Sequence, residues 1–326
     1  MKPRPIRVVR SMLCAAVLAL TASVTLAQSY PARPVSIIVP FAAGSGSDLT
    51  ARAIAQHMGP VLDGSVIVEN RTGAAGTVGA GFVARALADG HTVLLTSISM
   101  SVTASTMKLP YDIVSDFVHV TMVGTQPYVL VAPNSLAAKS LADVIDLAKS
   151  KPGEFNFGTQ GIGSLSHLQW EALKTDRGVD MVHIPYKGTP PALADMVAGR
   201  VHLLMVPLPA GLPQIKAGAV KALGVSGDKR VPQLPDAPTM QESGFPVLHD
   251  SIWYAFLMPA RTPDAAVRKF NAAYAKILTK PEVVAQLVKL GIDPRSSSPE
   301  ETAAFIKAQV DKWKKIVAAM PYKFGL

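Results

Sequence analysis

Short apolar, β-branched runs alternate with amphipathic stretches along most of the chain, and that alternation restricts the fold more than any other feature of the sequence. The pattern calls for parallel strands covered by crossover helices, an α/β fold. Strands are expected at 35–39, 65–69, 92–96, 118–123, 128–132, 156–159, 181–184, 203–206, 220–225 and 253–258. Helices are expected at 48–58, 76–86, 141–149, 164–175, 191–198, 210–217, 263–278, 281–290 and 299–320. Several begin in capping chemistry: Ser140 stands three residues before Asp143, Pro263 follows Thr262, and Ser298-Pro299-Glu300-Glu301 joins a cap, a proline and two acids. In the last helix Phe305, Val310, Trp313 and Val317 fall at helical spacing, as a core-packing face does.

Proline interrupts the alternation twice. Pro127 and Pro133 flank one strand near the middle, and the stretch 246–251 breaks the pattern again after the Pro-rich segment 231–238. Read as two chain crossings, these breaks give one lobe from 28–127 plus 249–326 and an inserted lobe at 128–248, each a sheet flanked by helices. A ligand then sits where strand ends of both lobes face each other.

The N-terminus has the layout of a secretory signal peptide: Lys2, Arg4, Arg7 and Arg10 precede an apolar run at 12–26, and Thr25-Leu26-Ala27 offers the small residues of a cleavage site. That run is shorter than the roughly 20 residues a membrane span needs. Cleavage after Ala27 places the protein in the periplasm and removes its only cysteine, Cys14. Without disulfides or thiol chemistry, the fold must rest on buried apolar area. The formal charge of +9 falls to +5 once the four basic residues of the leader are removed, a mild excess that suits an anionic guest. The Lys and Arg residues are scattered and not interleaved with aromatics, which argues against a nucleic-acid partner.

Two segments carry the chemistry. Pro40-Phe41-Ala42-Ala43-Gly44-Ser45-Gly46-Ser47-Asp48 runs from an apolar strand through small residues into a helix, a loop that presents unpaired N–H groups beside the positive end of a helix. Gly158-Thr159-Gln160-Gly161-Ile162-Gly163-Ser164-Leu165-Ser166-His167 repeats the logic in the other lobe. The first also reads as a tight turn with an N-cap by Ser47 or Asp48. Two anion-ready loops imply a guest with at least two acceptor groups, a dicarboxylate being the simplest. A third segment, Pro185-Tyr186-Lys187-Gly188-Thr189-Pro190-Pro191, follows a strand and opens a helix.

Together with Val68-Glu69-Asn70-Arg71, Gly73, Gly76 and Gly79, Ala88-Asp89-Gly90-His91-Thr92, Leu109-Pro110-Tyr111-Asp112, Asp116-Phe117 and Leu234-Pro235-Asp236-Ala237-Pro238-Thr239, these segments resemble the receptors of tripartite tricarboxylate transporters, the Bug family of solute-binding proteins. The resemblance runs from about residue 30 to 320. It implies a two-lobed Venus-flytrap fold of type II-like form, and a ligand held by backbone amides and ordered waters. The implied ligand is a mono- or dicarboxylate, a tricarboxylate or an acidic amino acid. By the same resemblance Phe41, Ala42, Ala43, Gly44, Ser45 and Asp48 line one side of the cleft, with Asp48 toward a ligand amine or bridging water, and Thr96 and Ser97 add hydroxyls there. Thr159, Gly161, Gly163, Ser164 and His167 face them, with Tyr186 and Gly188 beside. The chain departs from the family pattern at Ser45, where a second glycine is usual, and at His202, where an acid is usual. The implied partners are the small organic anion and membrane transporter components or a sensor kinase, for a receptor acting as a monomer.

Enzyme readings lack a starting point. Gly79-Ala80-Gly81-Phe82-Val83-Ala84 fits a dinucleotide fingerprint but lies nine residues after the nearest expected strand, and reads better as close helix packing. No Gly-x-Ser-x-Gly elbow or Walker loop occurs. His57, His91, His119, His167, His183, His202 and His249 never fall three or four residues apart, so no metal and no cofactor are expected. Asp112, Asp116 and Asp195 read as local braces. The competing class is a periplasmic carboxylate-processing enzyme, which must consume what it binds.

Overall fold

The computed structural model describes residues 30–319; the leader expected at 1–27 and the end of the last helix expected at 320 lie outside them. In chain order the elements are β1 (Val35–Val39), α1 (Gly46–Leu62), β2 (Val66–Asn70), α2 (Thr77–Ala84), β3 (Thr92–Ser97), α3 (Ile98–Thr106), β4 (Phe117–Gln126), β5 (Tyr128–Pro133), α4 (Leu141–Ser150), β6 (Asn156–Thr159), α5 (Leu165–Arg177), β7 (Val182–Pro185), α6 (Thr189–Val197), β8 (Leu203–Pro207), α7 (Leu208–Lys216), β9 (Val220–Val225), β10 (Ile252–Pro259), α8 (Asp264–Ile277), α9 (Pro281–Lys289), β11 (Asp293–Pro294) and α10 (Pro299–Ala318).

These strands form two sheets, one per lobe, ordered β11-β4-β10-β3-β1-β2 and β7-β6-β8-β5-β9. Each is a sheet flanked by helices, as expected, but both are mixed where the alternation called for parallel strands. The strands β2, β1 and β3 run parallel, but β10 lies antiparallel between β3 and β4. In the second sheet β7, β6 and β8 are parallel while β5 runs antiparallel to β8 and β9. The difference has a topological cause: β5 and β10 directly follow the two passages between sheets, and neither enters through a crossover helix.

Alternation along each strand explains the layers. Ile37 and Ile38 are neighbours in β1 yet join different cores, Ile37 with Ile54, Met58, Phe256 and Tyr274, Ile38 with Val83, Ile306 and Trp313. In the second sheet Val129 and Val131 pack with Met196 and Val206, whereas Leu130 shares a core with Phe157 and Trp170. The cluster holding Ile38 also holds Leu130, so one apolar core passes between the lobes. Each such fully buried side chain contributes roughly 1.5–3 kcal/mol, which is how a chain without disulfides holds together.

The passages between sheets are short and bonded. Gln126 ends β4 and Tyr128 begins β5; the Tyr128 N–H donates to Ser226 Oγ at 2.9 Å, and Ser226 Oγ lies 2.8 Å from Ser251 Oγ just before β10. Both expected capping boxes form, Ser140 with Asp143 and Ser298 with Glu301.

The helix α3 has no counterpart among the expected elements. Its sequence Ile98-Ser-Met-Ser-Val-Thr-Ala-Ser-Thr106 is rich in residues that prefer caps and turns. Here their hydroxyls bond back to the preceding turn, Thr103 to the Met100 carbonyl at 3.1 Å and Ser105 to that of Ser101 at 2.9 Å, and the helix packs against α10 and α5.

Candidate functional site

The first loop leaves β1 at Val39 and enters α1 through Ser45, whose hydroxyl accepts from the Asp48 N–H at 3.3 Å; the cap is therefore Ser45, and not Ser47 or Asp48 as expected, since the helix already begins at Gly46. The Asp48 carboxylate turns back into the loop: it accepts from the Gly44 N–H at 2.9 Å, from Arg52 Nε at 3.0 Å and from Asn70 Nδ2 at 2.9 Å. Asn70 also donates to the Phe41 carbonyl at 3.0 Å, so the end of β2 is tied to the loop. Asp48 is only 2% exposed. Burial pushes its pKa up, but the hydrogen bonds from Arg52, Gly44 and Asn70 outweigh this and hold it below the ordinary carboxylate range. With its oxygens engaged, Asp48 shapes the loop from beneath. Ala42, Ala43 and Gly44 are exposed on top.

A small recess opens at the foot of this loop, with room for about one water. Phe41, Thr96, Ser97, Met100 and Tyr111 line it, with Ala75 and Gly76 opposite. Thr96 Oγ1 lies 3.0 Å from Met100 Sδ, and Ser97 Oγ donates to Ser99 Oγ at 3.1 Å. The glycines of the discarded dinucleotide fingerprint act in packing: a Cβ on Gly79 would stand 2.7 Å from the Arg71 carbonyl and 3.0 Å from the Pro40 backbone.

The second loop follows the same plan with different chemistry. Ser164 caps α5 and accepts from the His167 N–H at 3.3 Å, while the Gly163 N–H donates to His167 Nδ1 at 3.1 Å. The acceptor role of Nδ1 assigns the ring proton to Nε2, 3.9 Å from Glu171 Oε1. The His167 ring is 3% exposed and stacks on His183 at 4.0 Å; His183 stacks on Phe157, and Phe157 on Trp170. Burial, then the nearby His183 and Lys174, push the His167 pKa down to about 3, and burial followed by Lys174 takes His183 to about 4. Both rings are neutral at pH 7. Thr159 Oγ1 lies 2.7 Å from His183 Nε2, and the Gln160 amide bridges the Met205 carbonyl and Ser166 Oγ, each at 2.6 Å.

Aligned on their caps, Gly44-Ser45-Gly46-Ser47-Asp48 and Gly163-Ser164-Leu165-Ser166-His167 match in register. In both, the glycine before the cap has positive φ, 78° at Gly44 and 75° at Gly163, a conformation that opposes any Cβ. In both, the third helical residue holds that glycine's N–H. The N–H groups of Ala43, Gly46 and Ser47 on one loop, and of Ile162, Leu165 and Ser166 on the other, have no acceptor among the described residues. The loops lie in different lobes; α3, which starts after Ser97, packs against α5, which starts after Ser164.

The other residues singled out by sequence take supporting positions. Tyr186 donates its N–H to the Thr159 carbonyl at 3.1 Å and its hydroxyl to Asp195 Oδ2 at 2.8 Å, which brings it under the second loop. Gly188 stands at the N-cap of α6. His202 lies at the far end of β6 from the loop, where Nδ1 accepts from the Asn156 N–H at 3.2 Å. Asp112 caps Val114 and Ser115, and Asp195 pairs with Arg200. Residues not anticipated are Asn70 and Arg52 as braces of the first loop, and His183 and Gln160 of the second. Only Arg52 carried a usable signal, its spacing of four residues from Asp48 on one helix face. Among the described residues no group of three or more His, Cys, Asp or Glu is placed to hold a metal ion, and no helix is long and apolar enough to cross a membrane.

Comparison with known proteins gives this arrangement a family. The profile described as "Tripartite tricarboxylate transporter family receptor" matches residues 50–321. Protein BugT of Bordetella pertussis is 36% identical over 294 residues, covering 89% of this chain and 90% of that one. A solved structure of an R. palustris protein with adipate superposes with a TM-score of 0.78 at 33% identity, covering 89% of this chain and 97% of that one. MatC from Rhodopseudomonas palustris with bound malate superposes with a TM-score of 0.74 at 30% identity, covering 88% and 99%. The chain therefore belongs to the tripartite tricarboxylate transporter receptor family, whose members are solute-binding receptors and not enzymes.

Proposed function

We propose that the protein is a periplasmic receptor that captures a small carboxylate between the two glycine loops and delivers it to the membrane components of a tripartite transporter. The observation that supports this most is the matched pair of strand, glycine loop and capped helix, one in each lobe, with N–H groups lacking acceptors among the described residues. Phe41 to Ser45, with Thr96 and Ser97, form one wall; Thr159 to Ser164 form the other. Asp48, His167 and Tyr186 act from beneath, and Gly188 edges the second wall. Each charge-assisted bond from an N–H to a carboxylate oxygen contributes roughly 1.5–3 kcal/mol. A few suffice for the roughly −8 kcal/mol of micromolar affinity after ordering is subtracted. Closure of lobes 28–127 plus 249–326 and 128–248 over the guest excludes water and strengthens those bonds. Export rests on the leader-like start of the chain.

The relatives solved with adipate and malate suggest where to begin. Isothermal titration of the purified protein with adipate, malate and citrate is expected to show saturable one-to-one binding of at least one, with the ligand recovered unchanged after long incubation. No binding across a wider panel of small carboxylates contradicts the proposal, and chemical conversion of the ligand contradicts the receptor reading.

A further inference from the structure

Ile162 stands at the tip of the second loop with 56% of its surface exposed, although it is one of the larger apolar side chains in the protein. Its neighbours are Gly161 and Gly163, at φ 130° and 75°, so Ile162 is the only side chain the tip presents. The loop does not need that side chain for its shape. Main-chain and buried contacts hold it: the Ser164 N–H donates to the Gly161 carbonyl at 3.2 Å, the Gly163 N–H to His167, and Gln160 to Met205. Single exposed apolar side chains are common on protein surfaces; what sets Ile162 apart is its place on the loop whose Ile162, Leu165 and Ser166 N–H groups have no acceptor among the described residues.

The rim of the opposite wall is apolar too. Ala42 and Ala43 are exposed and Phe41 is half-buried, while the recess below joins Phe41, Met100 and Tyr111 to the hydroxyl-bearing Thr96, Ser97 and Ser99. Neither 40–47 nor 160–166 contains a charged side chain. Recognition of charge therefore falls to the main chain, and the side chains at the mouth are left to select what lies behind the carboxylate.

We propose, building on the carboxylate-receptor reading, that Ile162 is a specificity-determining residue that packs on the hydrocarbon body of the guest, so that the protein selects carboxylates with an unsubstituted carbon body over hydroxylated ones of the same length. A hydroxyl brought against Ile162 loses its water without gaining a partner. The effect of one apolar contact of this kind is about tenfold in affinity.

Adipate and galactarate test this directly, since both are six-carbon dicarboxylates and they differ only in hydroxyl groups. Titration calorimetry of the wild-type protein is expected to give adipate at least about tenfold tighter binding. Ile162→Ser is expected to weaken adipate about tenfold, to change galactarate less than about twofold, and to leave the melting temperature of the unliganded protein unchanged. Ile162→Leu is expected to keep the preference. Wild-type preference for galactarate, or an unchanged adipate-to-galactarate ratio in Ile162→Ser, overturns the assignment. An equal loss for both ligands also overturns it, because Ile162 then seals lobe against lobe without reading the guest. If neither these two nor any other small carboxylate binds the wild-type protein, the receptor reading itself fails.

Discussion

The two glycine loops share a backbone shape and are held in it by opposite electrostatics. In the first lobe an ionised, buried Asp48 grips the Gly44 N–H and is itself compensated by Arg52 and Asn70. In the second lobe a neutral imidazole, His167, grips the Gly163 N–H and is compensated by ring stacking on His183. The same orphan donor at a helix entrance can thus be satisfied by charge or without it. The consequences differ. The first brace lies close to the surface, with Arg52 half exposed, and shares its charge with solvent. The second is an aromatic stack, with His167 buried and His183 half-buried, that resists protonation.

That contrast can be broken by removing each brace. His167→Ala empties a buried ring position in the stack with Phe157 and Trp170, and chemical denaturation is expected to show a loss of about 3 kcal/mol. Asp48→Ala removes three hydrogen bonds but leaves Arg52 able to hydrate, and a smaller loss of about 1–2 kcal/mol is expected. Equal losses would remove the distinction. Acid separates the loops next. The folded chain keeps His167 neutral down to about pH 3, whereas an unfolded histidine takes up its proton near 6.5, so the folded state loses stability as pH falls between those values. For Asp48, held below its ordinary 3.8, the stabilisation is present above that value and is lost only as pH falls through its lower folded pKa. Between pH 7 and 5 His167 alone is therefore expected to take about 2 kcal/mol from the stability, and His183, held at about 4, adds to the loss in the same direction. Amide exchange measured by NMR should show that drop at Gly163 with protection retained at Gly44.

Gly44→Val and Gly163→Val sharpen the comparison on the binding side. Each places a Cβ at positive φ, and each is expected to weaken carboxylate binding about tenfold by calorimetry. A change confined to one variant would mean that one loop holds the guest alone. The smallest expected effect is of salt. Raising ionic strength from 0.1 to 1 M should weaken the Asp48 to Arg52 pair by a few tenths of a kcal/mol and leave the His167 stack unaffected, read as the salt dependence of Asp48→Ala against His167→Ala stability.

Much of this was legible in the residues themselves. The strands β1, β6 and β9 form at the positions the apolar runs predict, because each run is covered on both sheet faces. The loops were visible as glycine between strand and helix. The antiparallel direction of β5 and β10 was not, since direction depends on where the chain returns and leaves no mark on local composition. The helix α3 was hidden for a different reason: its Ser and Thr residues disfavour a helix until the lobes pack around it. At the site, the inward turn of Asp48 depends on Asn70, and the stacking of His167 depends on His183; these pairings are made by tertiary structure, 22 and 16 positions apart in the chain.

The most direct test follows backbone amides by NMR while a binding carboxylate such as adipate is titrated in. The amides of Ala43, Gly46 and Ser47 and those of Ile162, Leu165 and Ser166 should shift together and saturate at one ligand per chain with a single dissociation constant. Shifts limited to one of these sets, or saturating at different ligand concentrations, would contradict a guest shared between the lobes.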